Sequence, residues 1–186
     1  MFRLDEVLER WATIYKPMQH NPSAAAKVED KAFFLTDRLA DENEFTRNFA
    51  KLKKPCVLYC STIDAQLSKD NHKAVSYQYN FYLLAKQQGA NYAQDDQGAA
   101  NVKVDLNEMM LDLLAWLFEE RAKAESDLTL SKDERNGWKG LRLEQTAWWS
   151  APRFKNGWWI IGVEIEGIDP RKLCVNPEKY IDDITK

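Results

Sequence analysis

The stretch "NGWWIIGVEIEGIDP", residues 156–170, predicts a β-strand and decides the class of fold. Successive side chains of a strand point to opposite faces of the sheet. The second face of this strand begins with Trp158 and Ile160 and ends in Glu164 and Glu166. What covers the Trp–Ile half of that face is the question that the stretch raises. The first face is apolar throughout and is typical of a core face: Trp159, Ile161, Val163 and Ile165.

The preceding stretch, "GLRLEQTAWWSAP" at 140–152, predicts the antiparallel partner of this strand. The favoured register sets Trp148 opposite Trp158 and Arg142 opposite Glu164, because aromatic pairs and opposite charges stabilise directly opposed positions. A shifted register would oppose Glu144 to Glu164, and like charges disfavour it.

Farther from this pair, the chain alternates helices with hairpins. A helix is predicted over 2–16, a short strand over 32–36 and a second helix over 39–54, where Asp41 and Glu44 form a capping-box pattern. Strands at 56–63 and 73–86 form a hairpin joined by an exposed polar connection at 64–72. The spacing of the apolar residues supports the first helix: Leu4, Leu8, Trp11, Ala12 and Tyr15.

The clearest helix is predicted to begin at an Asp105 cap and to run to about residue 124. Flexible loops are expected on both sides of it, near 87–101 and 125–140. Together the elements predict one α+β domain over 1–186, with a mainly antiparallel sheet of four to five strands and helices on one face. The apolar face of that helix comprises Leu106, Met109, Met110, Leu113, Leu114, Leu117 and Phe118.

Composition and sequence patterns argue against several classes of protein. A formal net charge of −3 argues against a nucleic-acid binder, because such domains usually present a basic face. The charged N-terminus is not that of a signal peptide, and no apolar run approaches the roughly 18 residues of a membrane span. The three cysteines lack a CxxC spacing and are expected to be reduced thiols of a cytoplasmic protein.

No residue pattern indicates catalysis, and no catalytic, cofactor-binding or metal-binding residue is assigned. The two histidines, His20 and His72, lie in predicted loops and are expected to face solvent. Glu164 and Glu166 share a strand face, which glycosidase chemistry could use, but solvated strands show the same spacing.

The half-apolar face of the last strand favours an interface. Either the N-terminal helix covers it or a partner subunit does, and exposed apolar patches rimmed by charge mark interfaces. A nucleotide-stacking platform is the competing interpretation of these aromatic residues. On the interface interpretation, Trp158→Glu should leave the fold intact and weaken assembly. The interface candidates are Trp148, Trp158, Ile160, Tyr82 and Arg153.

The order of elements resembles that of the tail-terminator, or tail-completion, proteins of tailed bacteriophages and prophages. The segments that carry the resemblance are "LDEVLERWATIY", "KPCVLYCSTI" with "AVSYQYNFYLLAK", "DLNEMMLDLLAWLFEE" and "GWWIIGVEIEGI". The resemblance implies a structural virion protein, assembled in the bacterial cytoplasm, that forms a ring expected to be hexameric. That ring would cap the tail tube, meet the head-side connector and let DNA pass without specific binding.

Two other classes stay open. A small-molecule enzyme or ligand-binding domain would use a pocket between the 105–124 helix and the sheet, near Tyr77, Tyr79 and Cys60. A protein-interaction adaptor would be monomeric until its partner binds.

Overall fold

The computed structural model describes residues 2–36, 49, 51–61, 64–67, 75–87, 96–151 and 157–169. Within these residues the chain forms three α-helices and six strands, which confirms the α+β class. The helices are α1 (Leu4–Ile14), α2 (Asp96–Ser126) and α3 (Lys132–Gly140). The strands are β1 (Phe33–Thr36), β2 (Cys56–Cys60), β3 (Asp64–Leu67), β4 (Val75–Lys86), β5 (Ala147–Ala151) and β6 (Trp158–Asp169).

The six strands form one mixed sheet in the order β1-β2-β4-β6-β5, with β3 also paired to β4. Every pairing is antiparallel except that of β1 with β2, so the predicted mainly antiparallel character is confirmed. Among the described strands, the outermost are therefore β1 on one side and β5 on the other.

The sixth strand comes from the connection predicted as an exposed polar loop. Residues 64–67 pair with β4 beyond the end of β2. From Tyr59 to Asp64 the chain takes five residue steps, while its partner takes three from Phe81 to Gln78. The connection from β2 to β3 is therefore two residues longer than the matching part of β4, and the loop prediction for 64–67 is wrong.

The three described helices pack on one face of the sheet, which we call the helix face. Tyr79 on that face donates its hydroxyl hydrogen to the Phe2 carbonyl before α1, at 3.1 Å. From α2, the Lys103 ammonium lies 4.6 Å from the centre of the Trp159 ring. The buried side chains of the helix face are Phe33, Val57, Tyr59, Tyr79, Phe81, Leu83, Ala85, Trp159, Ile161, Val163 and Ile165.

Helix α2 is longer than predicted and begins at Asp96 instead of at an Asp105 cap. Residues 96–101 are thus helical, and the loop prediction is wrong for them. This segment lacks large apolar side chains, so hydrophobic spacing could not reveal it. Its two alanines, Ala99 and Ala100, have the highest helix propensity of any residue type.

Helix α3 lies where the second loop was predicted. Ser131 accepts a hydrogen bond from the Glu134 amide at 3.2 Å, and Glu134 accepts one from the Ser131 amide at 2.9 Å. This reciprocal pair is a capping box, which the sequence "SKDE" contains. Near the other end of the helix, Trp138 is buried and packs edge-on against Phe2 with ring centres 4.9 Å apart.

The register predicted for the last hairpin is wrong. Trp148 lies opposite Val163, and the Arg142 amide donates to the Glu166 carbonyl. Arg142 is already two residues away from its predicted partner, and beyond it a short 3-10 helix at Leu143–Gln145 interrupts the strand. It adds residues to one side of the hairpin only, so every side chain after it moves along β6.

Strand β6 is buried on both faces over its first half. Trp158 is 1% exposed and Ile160 is 3% exposed within the single chain. Lys86 lies beside the Trp158 ring, with its ammonium 5.9 Å from the ring centre. Strands with apolar residues on both faces are typical of the interior of a sheet covered on both sides. These two side chains therefore belong to a second core layer, on the face opposite the helix face.

Candidate functional site

The two outer edges of the sheet are the candidate functional site. Strand β5 reads "AWWSA" and β1 reads "FFLT", so neither strand carries a charge. Sheet edges usually carry charges or bulges that prevent pairing with another chain. Among the described strands, none pairs with the outer side of either edge. Within the part of the chain that the structure describes, the outer side of each edge is therefore unpaired.

Exposed apolar side chains mark both edges. Trp148 is 44% exposed and Trp149 is 43% exposed on β5, while Leu35 is 62% exposed on β1. The Trp149 ring lies over Gly162, where a Cβ atom would be 2.5 Å from it. This contact holds one tryptophan flat against the face opposite the helix face, because only glycine leaves room for the indole there.

The five interface candidates have different positions. Trp148 is exposed at the edge, as an interface residue must be, and Tyr82 is half-buried on β4, where burial raises the pKa of its hydroxyl. Trp158 and Ile160 are core residues, so the expectation that they form an accessible patch is wrong. Arg153 lies outside the described residues.

Sequence reasoning missed Trp149 and Leu35. The signal in each case was a short, uncharged strand with two adjacent aromatic residues. Trp149 was overlooked because the wrong register had placed Trp148, instead of its neighbour, on the face of Trp158.

A second exposed apolar surface follows the outer side of α2. Val104, Leu111 and Phe118 are spaced seven apart and are 55%, 57% and 37% exposed. Phe118 was expected in the core, but each helical residue turns the chain by about 100° and places it opposite the buried Leu113. This stripe explains why α2 is apolar on two sides.

A cleft of about 710 Å³ lies between α1, the end of α2, α3 and the sheet. Tyr77 and Tyr79 line it, as the ligand-binding interpretation expected, whereas Cys60 does not. Its wall between α1 and α2 is closed by Glu120, which accepts hydrogen bonds from Arg10 at 2.5 Å and Lys123 at 2.9 Å.

Three carboxyl groups that line this cleft have lowered pKa values. Partial burial acts against the Glu120 carboxylate, but Lys123 and Arg10 outweigh it and lower its pKa. Hydrogen bonds from Thr129 lower the pKa of Asp127, and bonds from Ser131 lower that of Glu134. General acid–base catalysis needs a pKa brought close to the working pH. These shifts go the other way and are those of structural ion pairs and caps.

The position of β1 depends on a histidine that was expected to face solvent. His20 is buried, and its Nδ1 accepts a hydrogen bond from the Ala32 amide at 2.9 Å, directly before β1. Its Nε2 lies 3.3 Å from a Glu9 carboxylate oxygen on α1. A ring that accepts at Nδ1 is neutral there, so His20 joins α1 to the edge strand in its uncharged form.

We expect stability to fall below neutral pH because of His20. Burial lowers its pKa from the ordinary 6.5, although Glu9 partly opposes the shift. The folded state therefore binds fewer protons than the unfolded state, and stability is lost as the pH falls below about 6.5 towards the lowered pKa. His20→Gln should lose less stability between pH 7.5 and 5 than the wild type in urea titrations. An equal loss in both proteins would contradict this role.

Two pairs of polar side chains lie on the sheet face opposite the helices or at its end. Gln78 donates to Glu164 at 2.8 Å, and Arg142 lies 3.6 Å from Glu166. Among the described residues, no group of three or more histidine, cysteine, aspartate or glutamate side chains is placed to hold a metal ion. None of the described helices combines the length and apolarity needed to cross a bilayer.

No protein-family model, curated protein or solved structure matches the chain.

Proposed function

We propose that this protein is a structural assembly protein that forms a closed ring of identical copies, of the kind found in phage tail terminators and connectors. The observation that carries the proposal is the pair of uncharged sheet edges with exposed Trp148, Trp149 and Leu35. An open apolar sheet edge promotes aggregation of a monomer, whereas in an assembly it provides a surface that pairs with the next copy. The order of the elements, which resembles that of tail terminators, supports the same class.

In this function the protein acts by shape and contact. A ring needs head-to-tail contacts, in which two different surfaces of each copy meet and the rotation closes. One edge would supply each surface. The completed ring would then form the end of a tail tube and present a new surface to the head-side connector. This function involves no chemical reaction, which agrees with the lowered pKa values of the carboxyl groups in the cleft.

The cleft supports a second candidate, a ligand-binding domain. Its walls combine the aromatic side chains of Tyr77, Trp138 and Phe2 with several charges, and its volume of about 710 Å³ is within the usual range for small-molecule sites. A thermal-shift screen of small metabolites would favour this candidate if a compound raised the melting temperature and Tyr77→Ala abolished the effect.

The oligomeric state tests the proposed function. We expect light scattering to show a mass several times that of the 21.6 kDa chain as concentration rises, with rings in negative-stain images. Trp148→Glu should shift the midpoint of assembly to at least tenfold higher concentration, because it places a charge in the contact. Leu128→Glu is the matched control, since Leu128 is 84% exposed and lies outside the sheet. A wild type that stays monomeric throughout would overturn the proposal.

A further inference from the structure

The backbone groups of β5 that point away from the sheet can be identified. The Gln87 amide donates to the Gly157 carbonyl at 2.8 Å, one step beyond the Lys86–Trp158 pair. In an antiparallel ladder, residues alternate between bonding one neighbour and bonding the other. Odd-numbered residues of β6 therefore bond β4, and even-numbered ones bond β5. Because Gly162 bonds Trp149, the N–H and C=O groups of Trp148 and Ser150 point outwards.

The same reasoning applies to β1. The Ala32 and Thr36 carbonyls accept hydrogen bonds from the Val57 and Ser61 amides, both at 2.7 Å. Even-numbered residues of β1 therefore face β2, and the backbone groups of Phe33 and Leu35 point outwards. Both outer edges thus present one pair of outward residues.

The outward residues of both edges also share one face of the sheet. Trp148 lies opposite Val163, and Leu35 is paired with Tyr59, so both side chains are on the helix face. Two edges can join into one continuous sheet only if two conditions are met. The residues whose backbone groups point outwards must lie opposite each other, and their side chains must be on the same face of the sheet. Here both conditions are met by the same residues.

Strand direction is compatible as well. Strands β1 and β2 run parallel, and β4, β6 and β5 each reverse the direction of the strand before them. Strand β5 therefore runs opposite to β1. When copies are placed side by side without turning one over, β5 of one copy meets β1 of the next in antiparallel orientation.

We propose that β5 of one copy pairs with β1 of the next, with Trp148 opposite Leu35 and Trp149 opposite Phe34. This pairing rests on the proposed ring and names its contact. It places an apolar pair on each face: an exposed tryptophan meets an exposed leucine on the helix face, and a tryptophan meets a half-buried phenylalanine on the other. A shift of two residues in either direction would instead set Leu35 against Ser150 or Thr146.

The pairing stabilises the contact in two ways. The outward groups of Leu35 with Trp148, and of Phe33 with Ser150, form two hydrogen-bonded pairs across the new ladder. Aromatic–aromatic and aromatic–aliphatic pairs across strands each add stability beyond that of alanine pairs. Because β5 and β1 are different surfaces, each copy pairs through β5 with one neighbour and through β1 with the other. The same contact therefore repeats around the ring.

Disulfide trapping tests this pairing directly. Residues in a hydrogen-bonded antiparallel pair have Cα atoms about 5.5 Å apart, within the range that a disulfide spans. We expect a mixture of Leu35→Cys and Trp148→Cys to form a cross-linked dimer on mild oxidation, whereas neither variant alone does so. The matched control is Leu35→Cys mixed with Trp149→Cys, whose side chains lie on opposite faces. The oxidised parent protein controls for the natural cysteines.

Hydrogen exchange gives a second measurement that needs no substitution. On assembly, the amides of Phe33, Leu35, Trp148 and Ser150 should exchange at least tenfold more slowly, while those of the outer α2 stripe at 104–118 should not change.

The outcomes separate the two proposals. A wild-type ring without the mixed cross-link, or without protection of those four amides, overturns the pairing and leaves the ring. A cross-link formed by Trp148→Cys alone shows a two-fold contact between β5 strands and overturns the head-to-tail arrangement. A wild type that never assembles removes the ring and the pairing together.

Discussion

Trp158→Ala is expected to lower the free energy of unfolding by about 3–5 kcal/mol, as large-to-small changes of buried aromatic residues do. Trp158 is 1% exposed and lies in the core layer opposite the helix face. Its removal leaves a cavity beside β6, a strand that is paired with β4 on one side and with β5 on the other. Domains of this kind are stable by about 5–15 kcal/mol, so the variant should be marginally folded.

Trp148→Ala is the matched control, because the same change is made on the neighbouring strand at a side chain that is 44% exposed. It should cost under about 1 kcal/mol in the monomer, the range typical of surface positions. Urea unfolding of both variants at low concentration gives the comparison. Similar losses in the two proteins would contradict the core position of Trp158 and restore the earlier expectation that it lies in an interface.

Gly140→Ala is expected to destabilise the fold by about 1–3 kcal/mol, the usual range for overpacking, or more. A Cβ atom at Gly140 would lie 2.0 Å from the Ile168 carbonyl oxygen, which belongs to the backbone of β6. A backbone atom in a paired strand cannot move aside cheaply. The end of α3 would therefore have to lift from the sheet, and Trp138 would lose part of its packing.

Gly137→Ala is the matched control, because it makes the same glycine-to-alanine change in the same helix. Its Cβ atom would meet the Phe2 side chain at 2.7 Å, and a side-chain ring can turn away. Alanine also favours the helix over glycine by about 1 kcal/mol, which offsets part of the contact. Thermal unfolding should therefore separate the two variants clearly. Equal melting temperatures would show that the end of α3 is free to move.

Most of the fold could be predicted from periodic patterns. The spacing of Leu4, Leu8 and Trp11 predicted α1, and the alternation in residues 75–83 predicted β4, because each pattern reports one buried face. The class of fold followed from the order of such elements. Segments without large apolar side chains gave no such signal, and residues 96–101 at the start of α2 were missed for that reason.

The candidate site depends on register, which local patterns do not determine. The 3-10 helix at Leu143–Gln145 is three residues long, too short to give a periodic pattern in the sequence. It decided whether Trp148 or Trp149 shares a face with Trp158. Likewise, the burial of His20 depends on contacts with Glu9 and Ala32, each more than ten residues away.

The distribution of the tryptophans gives the protein an intrinsic optical probe. Of its seven tryptophans, four are buried, Trp116 is half-buried, and only Trp148 and Trp149 are substantially exposed, both on β5. Indole emission shifts to longer wavelength in water, and soluble quenchers reach only accessible rings. The long-wavelength, quenchable part of the tryptophan emission therefore comes mainly from the β5 edge. Any partner that covers this edge shifts the emission wavelength of the unlabelled protein.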